Sequence, residues 1–160
     1  MITRLVRDLD ECLDLLIDDE QIVAIFQGKG EWGPRALGNR SILFDPRHLE
    51  AKQIVNNVKK REHYRPFAGT CLKEHAHDWF HMLQLEESPW MSFAIQAKDI
   101  AYEKIPTLVH SDGTCRIQTV TEEQNKNYYN LIKGFYDRTG VPMIFNTSFN
   151  LGGEALVETI

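Results

Sequence analysis

Short apolar runs rich in β-branched residues alternate along this chain with longer stretches of helical periodicity. That alternation confines it to an α/β architecture. Ile22-Val23-Ala24-Ile25-Phe26 is apolar throughout, so residues 21–26 read as a buried strand. Residues 41–44, 67–72, 90–97 and 141–145 read as further strands. Leu9, Cys12, Leu13, Leu16 and Ile17 recur at helical spacing and predict an amphipathic helix over about 8–19. Asp45-Pro46 reads as a helix start, Asp45 as N-cap and Pro46 in the first helical position. Ala51, Ile54, Val55 and Val58 continue it as a stripe. Residues 74–81 look helical. The clearest helix is 122–138, with Tyr128, Leu131, Ile132 and Phe135 facing inward and Gly140 as its stop. Ser111-Asp112-Gly113 between residues 107–110 and 114–120 is a hairpin signal, so the sheet should be mixed.

Residues suited to ligand chemistry gather between these elements. Val58 to Phe67 places Lys59, Lys60, Arg61 and Arg65 within seven positions, and Pro66 ends the segment. Lys59, Arg61 and Arg65 cannot share one helical face, because helical neighbours lie three or four apart. On a loop they could converge on one polyanion, guanidinium groups giving planar bidentate recognition and Lys a point charge. A preceding helix C-terminus would favour one or two of these cations, but not four. A solvated basic turn is the bland alternative.

Residues 27–41 hold Gly28, Gly30, Gly33, Pro34 and Gly38, and so form a loop. Such glycines let a backbone approach a ligand and present its N–H groups, or simply build a turn. Arg35 and Arg40 sit inside it, and no Gly-Lys-Ser/Thr ends it as in a Walker loop. Thr114, Arg116 and Gln118 alternate, giving one polar strand face that a solvent-facing sheet would equally explain. Asn146-Thr147-Ser148-Phe149-Asn150 and Gly152-Gly153 follow a strand, where short polar side chains suit both ligand contact and turns. His77 and His81 have zinc-helix spacing, but Asp78 stands where a metalloprotease needs Glu and no third ligand is near, so no metal is expected.

A chain of 160 residues suits one domain with its own core. No apolar run is long enough to cross a bilayer, and acidic residues directly after the N-terminus argue against a signal peptide. Three cysteines without metal-like spacing read as reduced thiols in a cytoplasm. The net charge of −5 makes a general polyanion binder, nucleic acid included, a poor fit. Yet residues 35–65 carry eight Lys and Arg against Asp45, Glu50 and Glu62, which suggests a small anionic ligand.

Taken together, residues 31–41, Asp45-Pro46-Arg47, residues 58–67, residues 110–118 and residues 146–150 resemble, in order, the C-terminal domain of the carbamoyltransferases. That group includes the nodulation and antibiotic O-carbamoyltransferases. The resemblance implies a YrdC-like twisted mixed β-sheet with flanking helices and a positively charged cleft. In that cleft carbamoyl phosphate would be hydrolysed and the carbamate adenylated by ATP, giving carbamoyl-adenylate. A separate Kae1-like domain would then pass the carbamoyl group to an acceptor hydroxyl. Lys59 and Arg61 match a Lys-x-Arg element of the fold, and Ser148 and Asn150 its Ser-x-Asn element. On that basis Lys59, Arg61, Arg65 and Arg116 are the expected catalytic set. Arg35, Arg40, Thr114, Asn146, Ser148 and Asn150 are expected to bind ATP, with Mg²⁺ arriving on the nucleotide. His110 and Asp112 are further candidates that could equally build the hairpin. The chain departs from the family pattern at Gly69, where a proline is expected, and it stops at Ile160, short of a further helix and strand. The expectation is thus a domain over 1–160, truncated at its C-terminus and lacking the Kae1-like partner. A non-catalytic module binding nucleotide or carbamoyl phosphate, and an RNA-binding YrdC-like domain, are the alternatives.

Overall fold

A computed structural model describes residues 5–159. Its centre is an open six-stranded mixed sheet in the order β1-β2-β6-β3-β5-β4. The strands are β1 (Val23–Phe26), β2 (Arg40–Phe44), β3 (Ala68–Leu72), β4 (Ala94–Gln96), β5 (Thr114–Val120) and β6 (Met143–Ser148). Only β3 and β5 run parallel; the other four neighbouring pairs are antiparallel. The helices are α1 (Leu9–Ile17), α2 (Ala51–Lys59), α3 (Ala76–Trp79), α4 (Asp99–Lys104) and α5 (Lys126–Thr139). The α/β class, the mixed sheet and the flanking helices are as the sequence predicts.

α5 lies across β3 and β6, and α1 packs on α5 and β1. The stripe predicted for α5 is its buried face: Tyr128, Leu131, Ile132 and Phe135 are at most 5% exposed. On the opposite sheet face, a Cβ at Gly69 would point at Leu108, so the segment before β5 covers that side. Strand alternation places Thr70, Arg116, Gln118, Asn146 and Ser148 on the face toward α5.

Several boundaries differ from the sequence reading, each for a local reason. Asp45 does not cap a helix. Its carboxylate accepts from the Arg47 backbone N–H at 2.8 Å and pairs with the Arg47 guanidinium at 2.6 Å, forming a turn, and α2 starts only at Ala51. Residues 107–109 are not a hairpin strand: β5 pairs with β4 and β3 instead, and Thr107 Oγ1 donates to the Pro46 carbonyl. β4 covers three residues rather than 90–97, because Met91 takes a left-handed φ of 53° that ends an extended run. Helix character over 74–81 breaks at Phe80, which is extended and bridges to Ala97, so His77 and His81 do not share a helix face. Asn146 to Ser148 belong to β6 rather than to a loop, because Ser41, Ile42 and Leu43 of β2 pair with them.

α5 begins at Lys126 rather than at 122, because Asn125 is its N-cap and its side chain accepts from the Tyr128 N–H. Asn125→Ala should therefore cost about 1 kcal/mol in urea unfolding.

Candidate functional site

The site is built from the end of α2. Lys60 adopts left-handed geometry, φ 52° and ψ 47°, and the N–H groups of Lys60 and Arg61 close back onto the Asn57 and Asn56 carbonyls. This reversal separates the cations into two directions. Lys59 stays under the helix end, 2% exposed. Its Nζ donates to Ser148 O at 2.6 Å and Oγ at 3.2 Å, and reaches Asn150 O at 2.9 Å and Oδ1 at 2.8 Å. Ser148 Oγ in turn donates to Asn150 Oδ1 at 2.6 Å. Gly152 donates its N–H to the Lys59 carbonyl at 2.7 Å, an approach that a side chain would obstruct, since a Cβ there would meet that oxygen at 2.9 Å. The residues after β6 are thereby tied to the basic turn.

Arg61 goes the other way. Its Nε donates to the buried Asn56 Oδ1 at 2.6 Å, its Cζ lies 4.1 Å above the Phe67 ring, and its Nη2 is buried without a partner among the described residues. Burial, then Arg65, then Arg116 push its pKa down. Burial and then Arg35 do the same to Arg116, whose Nε is also buried and unpartnered. Four guanidinium groups from three sequence segments thus repel one another in the series Arg65, Arg61, Arg116, Arg35. Among the described residues, Arg65 alone of the four has a carboxylate partner, Glu62 at 2.7 Å. Like charges held together with buried, unsatisfied donors are an arrangement that an anion would neutralise. A cavity of about 430 Å³ opens beside the series, lined by Lys60, Arg61, Glu62, Arg65, Gly152 and Gly153. A second of about 480 Å³ is lined in part by Arg35 and Arg116.

A polar network seats the glycine loop that carries Arg35. Thr70 Oγ1 is its hub: it donates to Gln118 Oε1 and accepts from Tyr128 Oη and Asn146 Nδ2, each at 2.9 Å. Gln118 Nε2 and Asn146 Nδ2 also donate to the carbonyls of Leu37 and Ala36. From the loop's other side, the Glu31 carboxylate accepts the N–H groups of Leu37, Asn39 and Arg40 at 2.8, 2.9 and 3.1 Å.

Residues 15–160 match the family model described as carbamoyltransferase C-terminus. The chain belongs to that family. It is 43% identical to nodulation protein NolNO of Sinorhizobium fredii over 146 residues, covering 90% of this chain and 22% of that protein. It is 42% identical to nodulation protein NolO of Bradyrhizobium diazoefficiens, covering 87% of this chain and 26% of that protein. Nodulation protein U of B. diazoefficiens is 37% identical, covering 91% and 25%. The chain thus spans about a quarter of the length of the curated relatives it matches.

In this carbamoyltransferase C-terminal domain, the residues singled out from sequence fall into four sets. Lys59, Ser148 and Asn150 are in direct contact, and Arg35, Arg61, Arg65 and Arg116 form the guanidinium series. Asn146 is buried at the loop's base, its Oδ1 without a partner among the described residues. Arg40 and Thr114 stand apart. Arg40 is 4% exposed and donates to the carbonyls of Gln27, Asn39 and Val157 while stacking on Phe26. Thr114 accepts and donates within the turn, its N–H and Oγ1 both bonding Asp112 Oδ1, with His110 Nδ1 at 3.3 Å from that hydroxyl.

Sequence reasoning passed over Asn56, Glu31 and Tyr128 as site-building residues. Asn56 had a signal: an amide on the buried side of a helix, beside the apolar stripe.

Burial and Arg61 lower the Lys59 pKa from its ordinary 10.5 to about 8. Between those values the unfolded chain binds more protons than the folded one, so this group makes stability rise with pH over about 8 to 10. The stability of the wild type relative to Lys59→Met should increase across that window in urea unfolding. A flat difference would show that the surrounding oxygens hold the ammonium at its ordinary pKa.

Proposed function

We propose that this domain binds carbamoyl phosphate and ATP and forms carbamoyl-adenylate, which a partner domain uses to carbamoylate an acceptor hydroxyl. The observation that carries the reading is the guanidinium series, with two buried donors that have no partner among the described residues. Such an array has an electrostatic use only when an anion neutralises it, and adenylation brings several phosphate charges and a carbamate together.

In this reading carbamoyl phosphate is first hydrolysed, water releasing phosphate and carbamate. A carbamate oxygen then attacks the α-phosphorus of ATP, and the bond to the β-phosphate oxygen breaks to release pyrophosphate. Mg²⁺ bound to the nucleotide would neutralise part of its charge. Side chains need do no covalent work in these steps: positioning and charge stabilisation dominate. Arg61 and Arg116 aim their free donors at phosphate oxygens, and exposed Arg65 exchanges Glu62 for ligand. Lys59, engaged with four oxygens, holds Ser148 and Asn150 in place at the end of β6. Transfer follows when the acceptor hydroxyl attacks the carbamoyl carbon and AMP leaves. That step is assigned to a Kae1-like partner.

Carbamoyl-phosphate-dependent exchange of labelled pyrophosphate into ATP tests the half-reaction. The wild-type chain should exchange only when carbamoyl phosphate is present. Arg65→Ala should lose on the order of 100-fold in rate with an unchanged circular dichroism spectrum. Binding of both ligands without exchange would make this a non-catalytic module instead.

A further inference from the structure

The second cavity differs in kind from the first. Trp32, Pro34, Leu37, Trp90, Met91 and Phe93 are among the residues that line it, and Arg35 and Arg116 are the charged groups on its wall. Among the described residues, none that lines it is acidic. Trp32 is 101% exposed, Trp90 67% and Phe93 48%, so three large aromatic side chains stand open to solvent around one hollow. They come from two separate segments, the glycine loop and the residues before β4. Exposed aromatic surface concentrated in this way marks a binding site.

We propose that this cavity is the subsite for a planar heteroaromatic base, and that Trp32 and Trp90 hold the base of the nucleotide whose phosphates lie on Arg116, Arg61 and Arg65. The inference rests on the function proposed above and adds the part that recognises the base. Indole faces supply stacking area, and an adjacent guanidinium adds attraction to a π-face. Arg116 belongs both to this cavity and to the guanidinium series, so one ligand can place phosphates on the series and its ring in the hollow. The volume, about 480 Å³, suits a small ligand. A protein partner would also cover exposed tryptophans, but it would need carboxylates placed against Arg35 and Arg116. A nucleotide brings its anion and its flat ring in one molecule.

The test compares ATP with inorganic tripolyphosphate by calorimetry on the full chain, as wild type, Trp32→Ala and Trp90→Ala. Both tryptophans are largely exposed, so the variants keep the fold. ATP should bind the wild type at least about tenfold more tightly than tripolyphosphate, and each variant should lose about tenfold in ATP affinity with tripolyphosphate affinity unchanged. ATP, but not tripolyphosphate, should also quench tryptophan fluorescence in the wild type. Equal affinity for the two ligands, undiminished in the variants, overturns the base subsite while leaving the phosphate site standing. Variants with full ATP affinity that fail to associate with the rest of a full-length relative overturn it in favour of a docking surface. Failure of both ligands to bind the wild type overturns the underlying functional reading as well.

Discussion

Gly38→Ala should destabilise this domain by about 4 kcal/mol in urea unfolding, most of the stability of a domain near the lower end of the usual range of about 5–15 kcal/mol. Two costs combine. Gly38 has a φ of +110°, where a side chain costs about 1–3 kcal/mol. A Cβ there would also enter the space of the Tyr128 ring, only 2.7 Å even from Cγ, and forcing atoms into a packed core costs about 1–3 kcal/mol more. Tyr128 has no room to retreat: it is fully buried on α5 and its Oη donates to Thr70 at 2.9 Å. The loop cannot lift away cheaply either, because the Gly38 N–H donates to Ser41 Oγ and its carbonyl accepts from Gln27 Nε2. Gly30→Ala is the control. It lies in the same loop with nothing within 4 Å of its Cβ, and should change stability by no more than about 0.5 kcal/mol. If the two substitutions cost the same, the loop does not pack on Tyr128 as described.

This loop also shows where sequence reading succeeds and where it stops. Its glycines announce a loop, and the composition places Arg35 inside it. Nothing local reveals that Tyr128, about ninety residues on, forms the floor beneath it. The same division runs through the molecule. The stripe of α5 and the apolar character of β2 were legible because both are buried, whereas β1, expected as a buried strand, lies at the sheet edge with none of its residues fully buried. The hairpin predicted at 107–120 failed because turn chemistry at Ser111-Asp112-Gly113 is real, yet the choice of strand partner depends on the whole sheet. Asp45 misled for a related reason: it has the right chemistry for a cap, but Arg47 two residues on claims its carboxylate. For the site, charge density pointed to residues 59–65, and family resemblance added Arg35, Arg116, Ser148 and Asn150. What neither source conveyed was the split of the basic stretch. Lys59 turns inward to the end of β6 while Arg61 joins the guanidinium series, a division set by the left-handed Lys60 and the buried Asn56.

Arg116→Met should move stability and ligand binding in opposite directions. Arg116 sits mid-strand on β5, desolvated and repelled by Arg35, with its Nε buried and unpartnered. Replacing such a group with an apolar side chain of similar length removes an uncompensated charge, so the ligand-free domain should be unchanged or more stable by about 1 kcal/mol. A residue present only for packing would show the reverse. Tripolyphosphate affinity should fall by about 100-fold, the effect of losing charge-assisted hydrogen bonds worth about 3 kcal/mol. The two effects meet in one experiment. At a tripolyphosphate concentration 100 times its dissociation constant, the wild type should gain about 2.7 kcal/mol from the ligand, and at that concentration Arg116→Met should gain less than about 0.5 kcal/mol. A variant that loses stability without ligand yet retains the full anion-induced gain would place Arg116 in the scaffold and leave the series without its central member. The expected pattern, a domain made sturdier and less able to bind, is that of a site whose repulsion is held in place by the fold and relieved by the ligand.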